Sequence, residues 1–466
     1  MKRLIALSIA AVSVVPAFSA CIGTGDPGET EWKDLEAGDL GQSRDALSVW
    51  SHLASQRLGG PGSAPVARAA VDGAGNIVLA GTFSGSITVG PGATTLTSAG
   101  GDDIFVVKMS PLGAVQWAVR FGGPGDESAA GVAADGAGNI VFVGEKTDDV
   151  DFGGGPVAGM GYVVKLNGCG THVWSKGFTP HFTMPDSWTR PFSVAANPAG
   201  TIVFGGLQLG RVDYGGGAVL DTGEDNLGPF VQVLAPDGSV VWGSGGSTAP
   251  IHDPELVRAV AIDAQGNVAV VGEHRMGLTL GGCSSNATLP YLDMFVMRFG
   301  PGGSCAWSKT FGATDGQSFD SGHDVAFAGN GHVIASGTIG AGVIGSTPVT
   351  GSFAVSIAPA GAIAWVRPFP SSSAPLLAAD SAGNVFMSTS TSPGVVFSRY
   401  SPANQLLWSA AFSAARVDVA AAPNGDAIFT GTFSGAKSFG GPVIGSAGAA
   451  NAYVVRYGMA TVEYEP

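Results

Sequence analysis

Seven times along this chain an apolar run ends in a glycine-bearing turn, and a second apolar run follows. The clearest copies are Asp72-Gly73-Ala74-Gly75-Asn76 before Ile77-Val78-Leu79-Ala80-Gly81, and Asp135-Gly136-Ala137-Gly138-Asn139 before Ile140-Val141-Phe142-Val143-Gly144. Looser copies place the turn glycine at Gly200, Gly266, Gly331, Gly383 and Gly425. A unit made only of strand and turn cannot bury its apolar faces alone. It must stack on copies of itself, which is the mark of radial β-repetition. The turn itself needs no bound ion. Aspartate accepts backbone N–H bonds in a tight turn, while Gly and Asn tolerate positive φ.

Composition points the same way. The 466 residues include 74 glycines, and only 12% are charged, about half the usual share of roughly 25%. Glycine is depleted in strand interiors, so this much of it implies many tight turns. Past the N-terminus no long window repeats apolar residues at i, i+3, i+4 and i+7, which predicts almost no helix.

A second recurring element defines the unit. An aromatic-Val-Val-Lys strand is followed by a turn and a Trp strand, as in Ile104-Phe105-Val106-Val107-Lys108, Pro111-Leu112-Gly113 and Val115-Gln116-Trp117. Five more hairpins pair Tyr162 with Trp174, Phe230 with Trp242, Phe295 with Trp307, Phe353 with Trp365, and Phe397 with Trp408. The seventh aromatic strand, Tyr453-Val454-Val455-Arg456, has no Trp strand after it; the missing one stands near the other end, at Ser48-Val49-Trp50-Ser51-His52-Leu53. These residues predict an all-β, seven-bladed β-propeller of four-stranded blades, closed by an N-terminal strand that completes the C-terminal blade and removes an open edge. The turn glycines are 62–66 residues apart in the first four blades and 52 and 42 apart afterwards. A minimal blade needs about 40–45, so blades 1 to 4 should carry extra residues in surface loops. Small residues in Ala67-Arg68-Ala69-Ala70-Val71, Gly131-Val132-Ala133-Ala134 and Val194-Ala195-Ala196 suit inner strands crowding an axis. The Trp residues suit the wide gaps between outer strands, as packing rather than as a ligand platform.

The Asp-x-x-Gly-Asn turn, the Phe-Val-Val-Lys strand and the Trp-x-x-x-Phe-Gly strand (Trp117 to Phe121-Gly122, Trp307 to Phe311-Gly312) resemble the bacterial β-propeller repeat of secreted and surface lipoproteins. The resemblance covers roughly residues 46–457. It implies a propeller in an exported, surface-attached protein and is silent on activity, since a fold of this kind carries unrelated functions.

The N-terminus reads as a targeting segment. Lys2 and Arg3 precede an apolar run from Leu4 to Phe18, and Ser19-Ala20-Cys21 closes it. That run is short for a span, which needs about 20 residues. The ending resembles a bacterial lipobox with Cys21 as the acylated residue; Ile22 rather than Asp after it resembles outer-membrane sorting. The alternative is ordinary secretory cleavage that leaves Cys21 a thiol. Residues 1–20 are then a signal peptide, 21–45 an acidic tether that buries little, and 46–466 the propeller. The expected location is the cell envelope, as an outer-membrane lipoprotein held to the membrane by its lipid.

Three cysteines remain. Cys283 and Cys305 flank the Phe295 strand of one blade, and an oxidising compartment permits a disulfide between them. Cys169 is left unpaired at a hairpin turn, or bonded to Cys21 if that residue carries no lipid.

Catalytic motifs are missing. There is no His-Glu-x-x-His, no Gly-x-Ser-x-Gly and no Cys/His metal spacing. One pattern of acids stands in the connections between blades: Asp126 with Glu127, Asp186, Asp253 with Glu255, and Asp320 with Asp324. Such connections share one face of a propeller. A partial ring of carboxylates there suits Ca²⁺, a cationic group, or paired-carboxylate glycoside chemistry; the plainer reading is solvated loops in an acidic chain, with no cofactor. The net charge of −14 disfavours nucleic acid. The sequence therefore leads to an envelope-anchored binding or scaffolding module for a protein or glycan, without catalysis. The alternatives are an outer-membrane assembly component and a polysaccharide-active enzyme using the acidic loops.

Overall fold

The computed structural model describes residues 47–462, apart from 61–65, 91–93, 182–183, 185, 216–218, 224–225, 247–254, 276, 288–291, 314–318, 370, 393 and 447–450. The signal segment, Cys21, the acidic tether and Asp253 lie outside the described residues. Seven antiparallel sheets form a closed ring of four-stranded blades. In blade 1 the strands, from axis to rim, are Val66–Val71, Ile77–Phe83, Asp103–Met109 and Val115–Phe121. Among the described residues there is no α-helix.

Three of the third strands, Asp103–Met109, Gly161–Leu166 and Asp293–Phe299, are buried at every position. A strand with a neighbouring blade on each face has no solvent side, so the period-two pattern gives way to a continuous apolar run. Seven apolar clusters sit one at each seam. Between blades 1 and 2, for example, Val106 and Phe121 meet Phe142 and Tyr162. Dividing the core among seams lets one domain exceed the roughly 250–300 residues at which a single core stops growing.

Ring closure is as the sequence predicts. Leu47–Gly59 pairs antiparallel with Asn451–Val462 and forms the outer strand of blade 7. The position of Trp50 differs from expectation. In the complete hairpins the Trp stands opposite the last residue of the aromatic strand, as Trp117 does Lys108 and Trp307 does Arg298. In blade 7 that place, opposite Arg456, belongs to Ala54. Counted back from the bulge, Trp50 takes the place of the turn glycine instead. At the corresponding Gly170, Gly238, Gly303 and Gly361 a Cβ would come within 2.8–3.2 Å of the preceding blade's indole. Blade 7 has no such turn, because the chain ends interrupt it. Trp50 fills the space, 6.0 Å from Trp408 and 5.7 Å from Phe386 by ring centroids, with the Arg399 guanidinium 4.5 Å over its face.

The extra residues of blades 1 to 4 are more than surface loops. They form hairpins: Ser86–Val89 with Thr94–Thr97, Val150–Asp151 with Pro156–Val157, Arg211–Asp213 with Val219–Asp221, and Gly277–Leu280 with Cys283–Asn286. The first joins the sheet of blade 7 through Leu58 and Gly59, and the third joins the sheet of blade 2 through Thr179 and Pro180. The motif phenylalanines explain this docking. Phe121 and Phe178 lie 5.5 and 4.7 Å from the hairpin aromatics Phe152 and Tyr214 of the next blade.

Candidate binding face and central channel

The strand directions give the disc two chemically different faces. One carries the turns between first and second strands and between third and outer strands. There each turn aspartate serves two roles. Asp135 Oδ1 accepts the N–H groups of Ala137 and Asn139, while Oδ2 accepts the Asn139 amide and lies 3.2 Å from Lys165 Nζ. The pairs Asp72–Lys108, Asp263–Arg298 and Asp380–Arg399 repeat the arrangement, and in blade 7 Asp426, which stands in the place of the turn asparagine, pairs with Arg456. Five of the Trp residues cross to the next blade: Trp117 donates its indole N–H to the Gly168 carbonyl, Trp174 to Pro236, Trp242 to Pro301, Trp307 to Pro359 and Trp365 to Pro402, at 3.0–3.3 Å. Ion pairs and indole hydrogen bonds thus tie the turn face together.

The opposite face carries the connections between blades and the inserted hairpins. Three buried carboxylates stand at the start of inner strands. Glu127 accepts the Gly123 N–H, Glu255 accepts the Arg275 N–H, and Asp320 accepts those of Ala313 and Gly340. Gly122 admits the first of these. A Cβ there would sit 2.5 Å from both the Glu127 and Asp103 carboxyl groups. Asp186 is exposed in the connection to blade 3.

Asp126 and Glu127 open onto a cleft of about 540 Å³ at the junction of blades 1, 2 and 3. Its other carboxylates, which the reading of inter-blade connections did not reach, are Asp102, Glu145, Asp148 and Asp149. Two cations belong to it. Arg190 pairs with Glu145 at 3.0 Å, and Lys146 lies 3.7 Å from Asp149. Burial, reinforced by the charges of Asp103, Asp148 and Asp126, holds the Glu127 pKa above the usual carboxylate value; burial also raises that of Glu145 and lowers that of Lys146. Of the four missed acids, Glu145 lies near the end of the second strand of blade 2 (Ile140–Lys146), Asp148 and Asp149 in the connection after it, and Asp102 just before the third strand of blade 1. Only the assembled ring brings them beside Asp126.

Asp324 differs from expectation. It lies within the inner strand Ser321–Phe327 rather than in a connection. Five inner strands carry a bulge, whose extra residue is Ala130, Phe192, Arg258, His323 or Val417. In three of them the next side chain reaches the following blade: Ser193 accepts the Val260 N–H, Asp324 that of Leu377, and Asp418 that of Ala69, at 2.7–3.2 Å. Burial, with the Asp418 charge added, pushes the Asp324 carboxyl up to about 7. Its neighbour His323 is held down to about 4 by burial and by the charges of Arg258 and Arg416.

The Cys283–Cys305 disulfide is present, with Cα atoms 5.0 Å apart, and fastens the blade 4 hairpin to its outer strand. Among the described residues no group of His, Cys, Asp and Glu is arranged to hold a metal ion.

The architecture is that of a seven-bladed β-propeller. No family model and no curated protein matches the chain. Several solved structures resemble it at low identity. The WD40 repeats of RRP9 are 10% identical, covering 89% of this chain and 100% of that one at a TM-score of 0.45. A protein of unknown function from Bacteroides caccae is 11% identical, covering 66% and 89% at 0.36. YCF48, solved bound to a D1 peptide, is 11% identical, covering 72% and 92%, also at 0.36.

Proposed function

We propose that this protein is an exported propeller, anchored to the cell envelope through Cys21, that binds or scaffolds a protein or glycan partner and performs no catalysis. The observation that carries this reading is the division of labour between the faces. The turn face is occupied by ion pairs and indole hydrogen bonds within the ring, whereas the connection face presents irregular loops and the acidic cleft. Pockets of roughly 300–1,000 Å³ are the usual size of binding sites. The outer strand of blade 7 begins at Leu47 on the turn face, so a tether entering there leaves the connection face free. The Cys283–Cys305 bond accords with export.

Affinity capture from solubilised envelope with the full chain, run beside protein and glycan arrays with and without Ca²⁺, tests the proposal. A ligand retained by the wild type and lost when connection-face acids are changed supports it. Capture of one stoichiometric membrane protein would identify the outer-membrane assembly role instead. Glycan turnover abolished by an acid-to-amide change would replace it with an enzyme.

A further inference from the structure

We infer that the cleft between blades 1, 2 and 3 is a receptor for organic cations, taking a primary ammonium or guanidinium group. This rests on the binding-module reading and names the ligand chemistry for one site.

Acidic loops alone would not carry the inference, since exposed carboxylates are ordinarily satisfied by water. The second observation is Glu127. Its side chain is 1% exposed and lines the cleft, and one oxygen accepts the Gly123 N–H while the other, Oε1, has no hydrogen-bond partner. A buried acceptor left unpaired keeps the full cost of its lost hydration, so a donor entering the cleft recovers a penalty the free protein carries.

Charge decides which donor. The cleft holds six carboxylates, and its two cations are engaged, Arg190 with Glu145 and Lys146 with Asp149. Among the described residues Asp102, Asp126, Glu127 and Asp148 form no ion pair, and Lys146 is the nearby positive charge that Glu127 and Asp148 share with Asp149. Anions are therefore excluded, and a neutral hydroxyl would satisfy Glu127 while leaving the exposed acids unmatched. A metal ion needs several oxygens converging on one point, and no such group is found among the described residues. A cation on an alkyl stem, or two joined by one, spreads its charge along the cleft and places N–H donors at Glu127. The stem would run beside Met160, an exposed apolar residue of the lining.

The ammonium group has two sources, a free polyamine or the basic side chains of a partner segment. Titration calorimetry of the full chain at low ionic strength separates them, with spermidine in one arm and a blocked lysine-rich peptide in the other. Saturable binding in either arm supports the assignment, and the stronger arm names the source. Glu127→Gln should weaken binding roughly thirtyfold or more, as loss of one partner in a desolvated charge pair does. Asp148→Asn, exposed and harmless to folding, should weaken it severalfold, and Asp237→Asn on the turn face should leave it unchanged. The inference is overturned if neither arm saturates, if all three variants bind like wild type, or if CaCl₂ saturates the cleft where the amines do not. Envelope capture that still succeeds after such a result would retire the cleft and leave the binding-module reading intact.

Discussion

The ammonium of Lys108 lies 2.9 Å from Asp72 Oδ2, and both side chains are at most 4% exposed. One residue closes the Asp-x-x-Gly-Asn turn and the other ends the aromatic-Val-Val-Lys strand. The two most regular phrases of the sequence are therefore the two halves of one buried ion pair, repeated around the ring. Lys108 also donates to the Gly138 and Gly168 carbonyls of blade 2, so the pair holds a blade to itself and to its neighbour.

Breaking that pair from one side should cost more than removing it. Lys108→Met leaves a buried carboxylate without its cation, for which about 3–5 kcal/mol is typical. The double change Asp72→Asn with Lys108→Met should recover part of the loss. Urea denaturation of the two variants checks this; equal destabilisation would mean that Asp72 is satisfied by its turn alone. Burial by itself would raise the Asp72 pKa, and the bonds from Asn76 and Lys108 outweigh it and hold it low. Its contribution is therefore complete above the unfolded value of about 3.9 and is lost as pH falls through the lower folded value.

Deleting residues 47–58 removes the outer strand of blade 7 and exposes the edge of Asn451–Val462, favouring aggregation. Deleting 22–44 should leave the melting temperature unchanged. Equal melting of the two proteins would sink the ring closure. Trp50→Ala alone should cost about 2–3 kcal/mol, less than a fully buried tryptophan, because Trp50 is only half-buried against Phe386 and Trp408.

His323 and Asp324 should give opposite pH slopes. Between about 4 and 6.5 the unfolded chain protonates His323 and the folded ring does not, so this group makes stability rise with pH. Between about 4 and 7 the folded ring keeps a proton on Asp324 that the unfolded chain has released, so this one makes stability fall. Relative to wild type, Asp324→Asn should tilt the stability profile upward with pH and His323→Gln should tilt it downward. Denaturation midpoints from pH 4.5 to 6.5 provide the comparison, and parallel profiles for all three proteins would refute the assignment.

Reduction of Cys283–Cys305 should cost about 3 kcal/mol, the value for closing a loop of this length. The loss should be local at first, with hydrogen exchange quickening in Gly277–Leu280 and Cys283–Asn286 before the ring melts. Uniform exchange throughout the protein would argue against a local clip.

The two fates of Cys21 exclude each other. A lipidated chain begins at Cys21 and carries acyl mass, whereas an unlipidated one has a thiol available to Cys169. Intact-mass analysis of envelope-extracted protein should show the acylated form. A Cys21–Cys169 peptide in a non-reducing digest would overturn the anchoring.

Local rules made the blade legible. Turn chemistry at Asp72 and Asp135, apolar runs of strand length and a Trp strand displaced to the N-terminus are each decided by neighbours in sequence. They specified strand order, blade number and closure. The same rules placed Trp50 wrongly, because a repeat read as a string carries no information about the turn that the chain ends remove. Pairing register supplied it: Ala54 faces Arg456, and Trp50 fills the missing turn. The inserted hairpins were invisible for a related reason. Short polar-apolar segments such as Ser86–Val89 become strands only when a neighbouring blade offers its edge.

The sequence alone determined an all-β ring of seven repeats, because six of the blades are built from contacts within some 40–66 residues, the seventh borrows its outer strand from the N-terminal end, and each must stack to bury its faces. Only the tertiary structure decided which acids share a surface. Asp126 and Glu127 meet Asp102, Glu145, Asp148 and Asp149 in one cleft, while Asp324 turns inward to hold the Leu377 N–H. That sorting depends on three blades converging at one rim and on a bulge in an inner strand. Neither is a property of any local stretch of chain.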